Sequence, residues 1–228
     1  MLQYFLRSLL SDGALFAATW FASTWFTVST CLVGDVAFAA DGTDWPMGGG
    51  GVSRNAVVSQ GHGPTDWRVP EKDQPGKNIL WTAQLGNLSY GGPVISNGLV
   101  WVGTNNMVPR DEDLTEDAGV LMCFRERDGQ FLYQYLSPRL PEGREVDWPG
   151  SSLASAPLIE GDRLWFCTNR CDVVCLDISR LLSETGQPEV LWKVDMRREL
   201  GVVPRAVMIG SQADHCSIAM FRDLIYVN

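Results

Sequence analysis

The chain has 228 residues, of which 45% are apolar and 20% charged, a composition typical of a globular protein and not of a disordered one. Its formal net charge of −9 at pH 7 argues against nucleic acid or an anionic membrane surface as a partner, because binding phosphate groups requires clustered Lys and Arg.

The first 39 residues are predicted to be a secretory signal peptide. Arg7 precedes an uncharged run from Ala14 to Val33, and Ala37 and Ala39 form an A-x-A cleavage pattern. The signal peptide would direct the chain to the periplasm or cell envelope, where disulfides form, and its cleavage would remove Cys31. The alternative is an uncleaved N-terminal membrane anchor, since the uncharged run is long enough to span a bilayer.

Residues 40–77 are predicted to form an extended lead-in rich in Gly and Pro. The glycine run Gly48–Gly51 is not followed by the Gly-Lys-Ser/Thr ending of a phosphate-binding loop, so it does not indicate nucleotide binding. The absence of a sustained period favours loop structure.

From Asn78 onward, short apolar runs alternate with turn signals. These signals are Asn97-Gly98, Asp128-Gly129 and Gly161-Asp162, which are typical of hairpins. Only two short helices are predicted, around Ile178–Glu184 and Val194–Leu200. The pattern predicts an all-β fold.

The β region contains an internal repeat. Pro93–Asn105 aligns without a gap with Pro157–Asn169, matching Trp101 with Trp165, and Ile218–Asn228 is a weaker third copy. The copies are spaced more widely than the ~40–50 residues of a propeller blade. Two insertions, Asn106–Asp117 and Ser179–Val190, account for the excess.

The second copy has sequence for four strands, predicted at Ser155–Ile159, Arg163–Thr168, Val173–Asp177 and Val190–Val194. Four-stranded antiparallel units that repeat around an axis are the blades of a β-propeller, which typically closes with 4–8 of them. The chain holds about two and a half such units and stops at Asn228 with an unpaired strand edge. We therefore interpret it as the N-terminal portion of a longer product.

The repeat resembles the pyrroloquinoline-quinone-like (PQQ-like) repeat of β-propeller proteins. Val173–Asp177 supplies the family's apolar-Cys-apolar-Asp strand, and Thr185-Gly186 with Trp192 supplies its Thr-Gly and Trp; the preceding unit has Arg125 and Tyr133 in place of that Asp and Trp. The closing strand of an earlier or shared blade is represented by Asn78–Gly86. The structural repeat positions are Trp81, Pro93, Trp101, Cys123, Pro157, Trp165, Cys175, Asp177 and Trp192.

The resemblance covers roughly residues 44–228. Over this range the order of the motifs is similar to that of exported bacterial PQQ-binding-like propellers. It implies a partial propeller in residues 78–228. It also implies an exported binding or scaffold module, like outer-membrane assembly propellers, with an unknown protein partner or small ligand. The alternative is a PQQ-dependent quinoprotein alcohol dehydrogenase or quinone-binding relative, in which PQQ and calcium would be the cofactors.

No residue is assigned a catalytic role, and no metal site is predicted. A quinoprotein often carries a pair of adjacent cysteines, which this chain lacks, and the two histidines, His62 and His215, are not in a metal-ligand spacing. The acidic insertion is predicted to be a solvated loop. Calcium binding by its carboxylates is the alternative, although their spacing is not that of an EF-hand. These carboxylates are Asp111, Glu112, Asp113, Glu116 and Asp117.

Three cysteines, Cys167, Cys171 and Cys175, follow one another at four-residue spacing. In the repeat alignment Cys167 matches Gly103 and Cys175 matches Cys123. A turn centred on Cys171 would place Cys167 opposite Cys175, within reach of a disulfide, with Cys171 pointing away from both. Buried thiols, that disulfide and a metal site all remain open, and the buried thiols are favoured.

Overall fold

The computed structural model describes residues 4–7, 44–58, 63–142, 147–202 and 217–227. His62, His215, Cys216, Asn228 and all of the predicted signal peptide except residues 4–7 lie outside the described residues. The strands are β1 (Tyr4–Arg7), β2 (Val94–Ser96), β3 (Leu99–Asn105), β4 (Ala118–Arg125), β5 (Phe131–Pro138), β6 (Leu158–Glu160), β7 (Arg163–Cys167), β8 (Asp172–Asp177), β9 (Glu189–Asp195), β10 (Ala219–Phe221) and β11 (Leu224–Val227). The helices are α1 (Ser179–Leu182) and α2 (Met196–Leu200).

The described chain is mostly β, which confirms the predicted class. Its strands form three antiparallel sheets: a first sheet ordered β2-β3-β4-β5, a second ordered β6-β7-β8-β9 and a third ordered β1-β11-β10. The two helices are single turns at the positions predicted for them. Among the described residues, no helix has the length and apolar character needed to cross a membrane.

The first hairpin of each sheet closes through a two-residue turn at an equivalent position. The first turn residue has a positive φ in all three: 54° at Asn97, 58° at Gly161 and 55° at Arg222. Such turns match the right-handed twist of the strands that they join. The equivalence of these positions supports the third, weaker copy of the repeat.

The strand register places the repeat residues at equivalent points. Trp101 is opposite Cys123 in the first sheet, and Trp165 is opposite Cys175 in the second. Cys123 in turn faces Tyr133, as Cys175 faces Trp192, and a β-bulge follows each cysteine. The extra residue at each bulge increases the local twist of the sheet.

The central strands of the first and second sheets bury both of their faces. In β7, Leu164 and Phe166 pack toward the first sheet, whereas Trp165 and Cys167 pack toward the third. The same alternation holds in β8. Strands covered on both sides read as unbroken apolar runs, which is the pattern seen in the sequence.

Residues 44–54, here called the edge segment, run across the free edges of the first two sheets. Trp45 exchanges two backbone hydrogen bonds with Ile95 of β2, and the carbonyl of Pro46 accepts from the amide of Ile159 in β6. The Trp45 ring folds over Gly50, where a Cβ atom would lie 2.8 Å from it. The glycine run therefore forms a tight turn that a larger residue could not make, so this part of the lead-in is packed on the sheets.

Residues 78–86, here called the covering segment, lie on the outer face of the first sheet. Trp81, Ala83 and Leu85 pack against that face, and Leu80, which precedes them, is 79% exposed. The indole Nε1 of Trp81 donates to the carbonyl of Glu126 at 2.5 Å. The segment has the alternation of a strand, but in the described structure it has no strand assignment.

The edge of β11 that the sequence left unpaired is paired in the structure. β1 lies antiparallel to it, with Tyr4 opposite Val227 and Arg7 opposite Leu224. Because β1 lies within the predicted signal peptide, cleavage after residue 39 would remove this strand.

Candidate functional site

A cleft of about 540 Å³ opens between the first and second sheets at the hairpin end of the first. Leu99 and Leu132 line it from the first sheet, and Leu181 and Leu182 of α1 line it from the second. Its volume lies within the ~300–1,000 Å³ of typical ligand pockets. We call it the inter-sheet cleft.

The insertion Ser179–Val190 builds one wall of this cleft. Asp177 holds the start of the insertion, since its Oδ1 accepts from the amide of Ser179 at 2.9 Å and its Oδ2 lies 3.0 Å from Nη1 of Arg163. Hydrogen bonds from Ser179, together with the nearby charge of Arg163, lower the pKa of the Asp177 carboxyl. The repeat Asp therefore has a structural role in positioning α1.

Arg125 and Glu184 place opposite charges at the mouth of the cleft. Arg125 is held in place because its Nε donates to both carboxylate oxygens of Asp128, at 3.0 and 3.1 Å, and its Nη2 contacts Gln130. Its hydrogen bond to Asp128 is the main cause of the lowered pKa of that carboxyl. Nη1 of Arg125 lies 4.0 Å from Oε1 of Glu184, which is too far for a hydrogen bond.

The backbone of Glu184 has a φ of 55°, a left-handed conformation that is uncommon outside glycine. Its amide donates to the carbonyl of Leu181, so the strained residue closes α1 and turns the chain along the cleft. Backbone strain of this kind clusters at ligand-binding sites. The Glu184 side chain is 78% exposed and projects into solvent at the rim.

A smaller cleft of about 270 Å³ lies at the other end of β8. Its cations already have partners: Lys193 lies 3.1 Å from Asp172, Arg170 lies 3.9 Å from the same carboxylate, and Arg197 bonds to Glu142. Each of these cations therefore has an anionic partner, and the Arg197–Glu142 pair ties α2 to the segment that follows β5.

The cysteine interpretation needs correction in two respects. Cys167 pairs with Val173 and Cys175 with Trp165, so the expected register, with Cys167 opposite Cys175, is wrong. Cys171 does not point away either, because it is fully buried in the same apolar cluster as the other two. Cys167 opposite Val173 centres the hairpin on residue 170, one residue before the centre at Cys171 that the sequence predicted. Cys171 therefore lies at the end of the turn formed by residues 168–171, with a φ of 61°.

The thiols of Cys123 and Cys175 sit in an apolar environment. Burial raises the pKa of both, that of Cys175 to about 12, because the thiolate would lose its hydration. In the described part of the chain, no group of three or more His, Cys, Asp or Glu side chains is arranged to hold a metal ion.

The acidic insertion is a fixed loop with exposed carboxylates. The side-chain Nδ2 of Asn106 donates to the carbonyls of Leu114 and Glu116, at 2.6 and 2.9 Å, and the carboxylate of Asp117 accepts from the backbone amide of Gly150. Asp111, Glu112, Asp113 and Glu116 face solvent. Arg110 lies over the ring of Phe131, 4.6 Å from its centroid.

The prolines that open the repeat lie just before β2 and β6, Pro93 exposed and Pro157 buried.

The sequence did not indicate the inter-sheet cleft, since Arg125 and Glu184 are brought together only by the packing of two sheets. The only signal of the cleft in the sequence was the position of the insertion.

A scan against family models and a search of curated proteins found no match to the chain.

Proposed function

We propose that the chain is part of an exported β-propeller of the PQQ-like repeat type that acts as a binding or scaffold module. Its first two sheets would be complete blades and its third a partial one. Three features support this: the equivalent hairpin turns, the matching Trp–Cys register and the face-to-face packing of successive sheets. Stacked four-stranded sheets are how propellers bury their blade faces.

The edge segment is the observation that favours a binding role over quinone chemistry. In a propeller, β2 and β6 would be the inner strands, facing the central channel. The edge segment already hydrogen-bonds to both, through Trp45 and Pro46, and Arg54 donates to the carbonyl of Ile218 beside β10 at 3.0 Å. In a closed propeller this backbone would lie where a channel ligand would bind, which would leave loops and inter-sheet surfaces for recognition.

The test of this role is cofactor loading. The protein is mixed with PQQ and calcium, and quinone absorbance and reduction of an artificial dye in the presence of alcohols are recorded. We expect neither signal. Dye reduction that depends on added PQQ would replace the binding proposal with the quinoprotein alternative.

Export is tested separately by the mass of the N-terminal peptide in the native host. Cleavage after Ala39 predicts a mature chain that begins at Ala40 and is found in the periplasmic or cell-envelope fraction. An intact N-terminus in the membrane fraction would support the anchor instead.

A further inference from the structure

We propose that the inter-sheet cleft binds a small zwitterion with an apolar side chain, that is, a free aliphatic α-amino acid. The inference rests on the proposed role as a binding module and names a ligand class for it. It follows from three properties of the cleft: its apolar floor, its fixed cation and its exposed anion.

The floor accepts an aliphatic group. Leu99 and Leu181 are nearly fully buried beneath the cleft, and Leu132 and Leu182 are partly buried beside them. A ligand side chain would remove the exposed apolar surface of Leu132 and Leu182 from water, over a base that Leu99 and Leu181 already fill. No aromatic residue lines the cleft, so stacking of a planar ligand is not the expected mode.

The rim accepts a carboxylate on one side and an ammonium group on the other. Nη1 of Arg125 makes no hydrogen bond within the described part of the chain, while Asp128 and Gln130 hold the rest of the guanidinium in place. A ligand carboxylate therefore meets a preoriented donor. Glu184 Oε1, 4.0 Å from Nη1, then faces the ammonium group attached to the adjacent carbon of the ligand.

The experiment is a titration of the full chain, by calorimetry or ligand-observed NMR, with four compounds. L-Leucine carries both charges and the side chain. 4-Methylpentanoate lacks the ammonium group, 3-methylbutylamine lacks the carboxylate, and glycine lacks the side chain. Leucine is expected to bind about tenfold more tightly than 3-methylbutylamine and glycine, because the held Arg125 and the apolar contact each contribute about that factor. It is expected to bind about two- to fivefold more tightly than 4-methylpentanoate, because the ammonium group would contact only the exposed Glu184.

Glu184→Gln is the matched variant, since the side chain is exposed and its loss does not threaten folding. Because the Glu184 contact is exposed, the variant is expected to weaken leucine binding about two- to fivefold and not to weaken binding of 4-methylpentanoate. Glu189→Gln is the control: it removes the same charge from the same insertion, but Glu189 pairs with Arg180 outside the cleft.

Absence of leucine binding, equal binding of a singly charged analogue, or equal effects of the two variants would overturn the inference. The outcome is distinguishable from that of the proposed function. PQQ-dependent dye reduction would overturn the binding role even if leucine binds, whereas a chain inactive with PQQ that does not bind leucine would lose only the ligand assignment.

Discussion

Gly129 shows how one missing Cβ atom sets the position of the covering segment. Its φ is 71°, and a Cβ atom there would lie 2.6 Å from the ring of Trp81. The ring can therefore rest directly on the turn between β4 and β5. The glycine is needed for both its backbone conformation and its contact.

The variant Gly129→Ala is expected to cost more than Gly161→Ala. Both glycines have positive φ, but the structure places nothing within 4 Å of a Cβ at Gly161. Conformational strain alone should cost about 1–2 kcal/mol at either site, and displacement of the Trp81 ring should add about 1–3 kcal/mol at Gly129. Urea unfolding of the two variants measures the difference, and equal losses would show that the ring does not rest on the turn.

Asp177 should make stability depend on pH in a defined direction. Because its pKa is lowered in the folded state, its contribution is present above the ordinary carboxyl range and is lost as the pH falls through the lowered pKa. Asp177→Ala should therefore destabilise the protein by about 1 kcal/mol at pH 7, and by less as the carboxyl protonates.

The comparison for that prediction is Asp162→Ala. Asp162 lies 3.0 Å from the same arginine but is 51% exposed, whereas the side chain of Asp177 is 25% exposed and also accepts from Ser179. Exposed pairs contribute little. The free energies of unfolding of the two variants, measured across the acid range, test this difference. A loss of stability in Asp162→Ala as large as that in Asp177→Ala would contradict the stabilising role of the Asp177 carboxylate.

At the scale of elements, strands that are covered on both faces determine the reactivity of the cysteines that they carry. Cys123 and Cys175 lie on strands whose two faces are both covered, and their raised pKa values keep the thiols protonated near neutral pH. We expect iodoacetamide to label them only when the protein unfolds, because the thiolate is the reactive form.

Peptide mapping of protein alkylated without reductant, before and after denaturation, measures this. Rapid labelling of Cys175 in the native protein would contradict the burial argument. The same map tests the disulfide alternative, since a Cys167–Cys175 bridge would appear as a linked peptide that is not alkylated in the denatured sample.

At the scale of the whole molecule, the first and second sheets share one core. Phe166 of β7 packs edge-on against Tyr135 of β5, with ring centroids 5.1 Å apart, in the cluster that joins the two sheets. Neither sheet would keep this face dry alone. The two sheets are therefore expected to unfold as one unit.

Phe166→Ala should cost about 3–5 kcal/mol and should lower protection in both sheets together. Hydrogen exchange followed by mass spectrometry reads the two sheets separately. Ile225→Ala, in the cluster between the second and third sheets, is the comparison and should leave the first sheet's β5 protected. Loss of protection confined to the second sheet in Phe166→Ala would mean that the sheets unfold independently.

Turn chemistry and apolar runs are local signals, and from them we predicted the all-β class, the hairpin turns, the two short helices and the limits of the second unit's strands to within about three residues. Tertiary structure decided the rest. The turn at residues 168–171 shifted the cysteine register, and the edge segment took up strand edges that no local pattern could assign to it. The inter-sheet cleft depends on Arg125 and Glu184, which are far apart in the chain and meet only because two faces must be buried against each other. Burial of apolar faces is non-directional, so sequence can show that a face will be covered without showing which charges that covering brings together.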